Sequence, residues 1–123
     1  MTQVEGPLIC DAGLPLCGGG TLREELLLYD LHQNSIPELV RRFASATGKE
    51  LTLDSDVSIL SGGQKVILLC LCALYSPAVN IRFINLWHSL DPANREWVKD
   101  LISSLQNGRR IDYIEEGHAD LQR

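Results

Sequence analysis

Three histidines and four cysteines are the side chains of this 123-residue sequence with the widest chemical repertoire. His88 follows Trp87 at the end of a β-branched and aromatic stretch, a place where α/β folds put catalytic groups. Asp91 and Asn94 are near enough in sequence to orient its ring, but the pattern supplies no serine or cysteine nucleophile. His32 sits in a polar turn beside Asp30, and His118 in a tail with Glu115, Glu116 and Asp120. Both read as solvated positions and not as metal sites. Cys70 and Cys72 fall two residues apart in an apolar run, a spacing that directs them to different faces of a helix. Cys10 and Cys17 flank a Gly/Pro-containing segment and could meet, but no histidine stands at zinc spacing from them. The cysteines therefore read as buried structural thiols. No G-x-x-x-x-G-K-[ST] phosphate loop occurs: the nearest stretch, Gly13 to Thr21, has Gly19 in place of the lysine. No catalytic residue, metal site or cofactor is expected.

The elements that would carry these residues can be read from periodicity and punctuation. Pro7 to Cys10 looks like a short strand, and Gly13 to Gly20 like a loop. Leu22 to Leu31 is compatible with helix or strand. Ser35, Pro37 and Glu38 form a capping-box signature for a helix with Ile36, Leu39, Val40, Phe43 and Ala44 on its buried face, ended by Gly48. Glu50 to Asp54 alternates like a half-buried strand. Ser61-Gly62-Gly63 opens a second helix, Gln64 to Tyr75, apolar nearly all round and stopped by Ser76-Pro77. A strand over Val79 to Trp87, a helix over Ala93 to Leu105 and a last strand over Arg110 to Ile114 complete the order. Helices alternating with strands imply parallel pairing. The expected fold is α/β: one domain over residues 1–123, with a small mixed, partly parallel sheet of four or five strands and three or four helices.

Composition narrows the function class. At 45% hydrophobic and 22% charged residues, the chain can build a core without disulfides or metals. A formal charge of -5 opposes a nucleic-acid partner, because Arg41-Arg42 and Arg109-Arg110 are the only paired basics. The longest apolar run, Val66 to Leu74, is well short of the roughly 20 residues that span a bilayer. Neither direct membrane insertion nor a signal peptide is expected, and the cysteines fit a reducing cytoplasm.

Two resemblances attach to these elements. Ser35 to Ile102 resembles the core of the STAS domain, the module named after sulfate transporters and anti-sigma-factor antagonists. The helix from Ile36, Gly48, Leu51-Thr52-Leu53-Asp54, Leu60-Ser61-Gly62-Gly63 and the strand Ile81 to Asn85 follow that family's order. Leu60 stands where the family usually has Asp. The resemblance implies a non-catalytic regulatory domain that binds a protein partner, such as a kinase, an anti-sigma-like protein or a transporter component. Its recognition surface would comprise Asp54, Ser55, Asp56, Ser61, Gly62, Gly63 and Gln64. Ser61 would be the phosphoacceptor, with Ser58 second; the plain alternative is that Ser61 only caps a helix.

Leu60-Ser61-Gly62-Gly63-Gln64 is also similar to the signature motif of ABC-type ATPases, Ser89-Leu90-Asp91-Pro92 to their D-loop and Gly117-His118 to the region of their switch histidine. That resemblance implies a helix N-terminus offered to the γ-phosphate of a nucleotide held by another subunit. Ile84 and Asn85 occupy the positions of the magnesium-binding Asp and the catalytic Glu, so a degenerate module is implied. The two readings separate at Leu51 to Asp54: an inner strand in a STAS-like fold, part of a helical subdomain in an ABC-like one.

Overall fold

A computed structural model describes residues 6–16 and 20–116. Cys17, Gly18, Gly19, Gly117 and His118 lie outside the described residues, and with them the proposed meeting of Cys10 with Cys17, the lysine-less loop and the switch-histidine position. The described chain is α/β, with three parallel strands, β1 (Leu8–Asp11), β2 (Asn80–Ile84) and β3 (Arg110–Ile114), in the order β1-β2-β3. Four helices accompany them: α1 (Leu22–Leu27), α2 (Ile36–Thr47), α3 (Gly62–Tyr75) and α4 (Pro92–Leu105). The sheet thus has fewer strands than expected among the described residues, and it is wholly parallel where a mixed one was anticipated.

The difference lies mainly at Glu50 to Asp54, which forms no strand. Only Leu51 and Leu53 carry the alternation, and turn chemistry overrides so short a pattern. Ser55 Oγ accepts from the Thr52 amide at 2.8 Å, and the Ser55 amide donates to the Thr52 carbonyl at 3.0 Å. The segment's remaining carbonyls serve α1: the Leu22 amide donates to Ser55 and the Arg23 amide to Leu53, each at 2.9 Å. Leu51 is buried without belonging to a sheet.

The ambiguous stretch after Gly20 resolves as helix. Thr21 Oγ1 accepts from the Glu24 amide at 3.2 Å while a Glu24 carboxylate oxygen accepts from the Thr21 amide at 3.1 Å, a complete capping box. The box expected at Ser35 is absent, because a 3-10 turn over Gln33–Ser35 runs directly into α2 and leaves Ser35 in helical geometry. Glu38 is thereby free to bind elsewhere. It accepts from the Tyr75 hydroxyl at 2.6 Å and Arg42 Nε at 3.3 Å, tying α2 to the end of α3.

The core sits between the helices and one face of the sheet. Every residue of α3 from Val66 to Leu74 is buried, as its all-round apolar sequence requires. Phe43 of α2, Ile81 and Phe83 of β2, and Val98 of α4 are also fully buried and join the same cluster. Cys10, Cys70 and Cys72 are free thiols within it. Burial pushes the Cys70 and Cys72 thiols up, away from thiolate, which makes them inert packing groups. No helix among the described residues is long and apolar enough to cross a membrane.

Candidate functional site

The loop from Asp54 to Leu60 and the first turn of α3 form a continuous polar rim. Asp54 pairs with Arg23 at 2.9 Å, both ends largely exposed, so the pair adds little to stability. Asp56 accepts from the Ser58 amide at 2.9 Å and its hydroxyl at 2.5 Å. Those hydrogen bonds, with the charge of Lys65 behind them, hold the Asp56 carboxyl below its ordinary range. The Ser58 hydroxyl is therefore committed to a carboxylate, and a phosphate placed there would face like charge. The loop is fixed from behind: Val57 donates its amide to Gly20 at 2.7 Å, and Val57 and Leu60 are buried.

Ser61 opens α3 with a second complete capping box. Its Oγ accepts from the Gln64 amide at 3.2 Å, and Gln64 Oε1 accepts from the Ser61 amide at 3.0 Å. The capping role expected of Ser61 is thus present in the geometry. Ser61 and Gly62 are nonetheless exposed, and Gly63 and Gln64 half-buried. A methyl group added at Gly62 would meet nothing within 4 Å, whereas one at Gly63 would lie 3.6 Å from Asn94 Nδ2. Asn94 belongs to the first turn of α4, where Asp91 Oδ1 caps the Asn94 amide at 2.8 Å. Two capped helix N-termini therefore stand side by side, a proximity that residues about thirty apart in sequence do not reveal. The expected recognition residues Asp54, Ser55, Asp56, Ser61, Gly62, Gly63 and Gln64 occupy this loop and turn, and Asn94 is the neighbour that sequence reading missed.

The end of β2 is occupied by structural bonds. Asn85 adopts a left-handed conformation (φ 58°) and donates its amide to the Ile114 carbonyl at 2.7 Å. Its Oδ1 accepts from the Glu116 amide at 2.6 Å, and its carbonyl accepts from the Ser89 hydroxyl at 2.7 Å. This side chain fastens β2 to the end of β3, and Ile84 beside it carries no ligating atom.

His88 is exposed at the mouth of a cleft of about 360 Å³ that Trp87, Arg95, Lys99 and Glu115 also line. Glu115 accepts from the backbone amides of Trp87 and His88 at 3.4 and 3.1 Å, and Arg95 Nε donates to the Trp87 carbonyl at 2.9 Å. These groups hold one another, and the lining includes no nucleophilic serine or cysteine. Trp87 is half-buried, with its ring 5.3 Å from that of Tyr113. No group of three or more His, Cys, Asp or Glu side chains among the described residues is arranged to hold a metal ion. No family model matches the chain, and no curated protein is similar enough to it to count as a relative.

Proposed function

We propose that this chain is a non-catalytic interaction module that offers the Leu60–Gln64 turn to an anionic group held by a partner, as the resemblance to ABC-type ATPases implies. The observation that carries the reading is the contrast within α3: an exposed Ser61-Gly62 entrance on a helix body buried from Val66 to Leu74. A rigid helix with accessible glycines at its N-terminus can bring backbone amides close to a phosphate at little reorganisation cost. Lys65 in the first turn adds positive charge to the same end. Two further features lend support: Leu51 to Asp54 forms no strand, and Asn94 of the D-loop-like turn stands beside Gly63. The chain would leave hydrolysis to its partner, since Ile84 cannot ligate magnesium and Asn85 is a structural tie.

An amide NMR titration with Mg-ATP tests this reading. Saturable shifts at Gly62 and Gly63 in the low-millimolar range, lost in Gly62→Glu, are the expected result. Shifts elsewhere, or none, would sink it.

A STAS-like switch is a second reading of the same surface, favoured by one observation: the Ser61 hydroxyl is exposed although it caps α3. Phosphorylation there would put nearly two negative charges on the recognition turn. Aspartate also caps helices, so Ser61→Asp adds charge while leaving α3 folded. The switch predicts that a kinase-treated chain and Ser61→Asp both lose a partner that the untreated chain binds. Equal binding by all three would leave Ser61 with the capping role alone.

A further inference from the structure

The two faces of the sheet differ sharply. Strand order follows chain order, and successive crossovers of one hand bring the connecting helices to one face. Burial agrees, since Cys10, Ile81 and Phe83 alternate into the core. The opposite face carries Ile9, Arg82 and Asp112 in one register row, and Asp11, Ile84 and Ile114 in the next. Ile9 is 50% exposed and Ile114 36%, although parallel sheets are ordinarily covered on both sides.

Arg82 lies on the central strand of that bare face. Its Nε is buried and has no hydrogen-bond partner among the described residues. The neighbouring carboxylates are engaged: Asp112 pairs with Arg110 at 3.3 Å, and Asp11 accepts from the Gly13 amide at 2.8 Å. A guanidinium among isoleucines, with a desolvated donor left over, suits a surface that gains its carboxylate from outside.

We propose that this face docks an amphipathic helix of a partner protein whose apolar stripe carries one carboxylate aimed at Arg82. A helix is the element that ordinarily covers a parallel sheet. Charge complementarity selects the acidic residue. A second copy of this chain, packed face to face, would set Arg82 against its own counterpart, which disfavours self-association here. The proposal is independent of what the α3 entrance binds.

The test places a photo-cross-linking p-benzoylphenylalanine at Ile9 in the full chain, expressed in the cells that make it. The cross-linked segment is identified by mass spectrometry and synthesised as a peptide for anisotropy titration. The expected segment is helical with an Asp or Glu in its apolar stripe. Arg82→Met and the carboxylate-to-amide peptide should each weaken binding about tenfold or more, and their combination no further. Arg82→Gln provides the same readout if Arg82→Met folds poorly. Cross-linking to a second copy of this chain, to no protein, or to a segment indifferent to both Arg82 substitutions would overturn the proposal.

Discussion

The two ends of α3 are built on opposite plans. At the C-terminal end, Arg109 spreads its guanidinium over the last carbonyls of two helices: Nη2 reaches Leu74 at 2.5 Å and Leu105 at 2.6 Å, and Nη1 reaches Ser76 at 2.9 Å. Tyr75 adds its bond to Glu38. A cation there opposes the partial negative charge of both helix C-termini and satisfies carbonyls that would otherwise be orphaned. At the N-terminal end, satisfaction is local, from Ser61 and Gln64 alone, and the glycines stay open. One end is closed on itself and carries stability. The other keeps amides and glycine backbone accessible at the cost of packing, as expected of a surface that meets something else.

If that division holds, substitutions at the closed end should dominate stability. Arg109→Met keeps much of the aliphatic stem but strips its carbonyl partners of their donor. Leaving several half-buried carbonyls unsatisfied should cost about 2–4 kcal/mol in urea unfolding. Arg109→Lys should recover part of this through the dipole but not the fan of bonds. A loss below about 0.5 kcal/mol for Arg109→Met would mean that water replaces the guanidinium, and the contrast between the ends would fail.

The open end should respond more mildly. Ser61→Ala removes the cap while Gln64 can still accept from the position 61 amide, so the expected loss is about 1 kcal/mol, with Ser61→Gly costing less. Because the capping box is exposed, the m-value should not change. A loss as large as that of Arg109→Met would show that the entrance is a stability element, which would weaken its reading as a binding surface.

How much of this was legible in sequence depended on range. The second helix runs Ile36–Thr47 as its apolar spacing and Gly48 indicated, and the apolar run after Gly63 became the buried α3. Thr21 and Glu24 carried a capping-box signature that would have resolved the ambiguous stretch after Gly20, since both partners lie three residues apart. Ser35 carried the same signature and misled, because a 3-10 turn upstream placed it already in helical geometry. Leu51 and Leu53 misled for another reason: an alternation of two leucines is satisfied as well by a turn anchored on Ser55 as by a strand. The recognition residues near Ser61 could be named from their local pattern. Asn94 beside Gly63, Arg109 across two helices and the bare sheet face around Arg82 could not. Those depend on chain segments brought together by the sheet order, and no periodicity within one segment encodes them.

The closed end also makes the smallest prediction, in pH dependence. Burial, followed by the bond to Glu38, pushes the Tyr75 phenol up to about 12. The bond to Tyr75, with Arg42 second, lowers Glu38. Tyr75 is therefore protonated in the folded chain at pH values where the unfolded chain has begun to lose that proton. Its contribution is fully present below about 10, the ordinary tyrosine value, and is lost as pH rises toward 12. Glu38 works in the opposite direction, contributing above its unfolded value and losing that contribution as pH falls through its lowered folded value. Both groups are partly exposed, so each slope should be shallow. Tyr75→Phe removes the alkaline component, and its stability should fall less steeply than wild type above pH 10. It should also bring the acid limb back toward that of an unpaired carboxylate. Parallel curves for the two proteins across both limbs would mean that the Tyr75–Glu38 bond does not persist in solution, leaving Arg109 alone to close that end of α3.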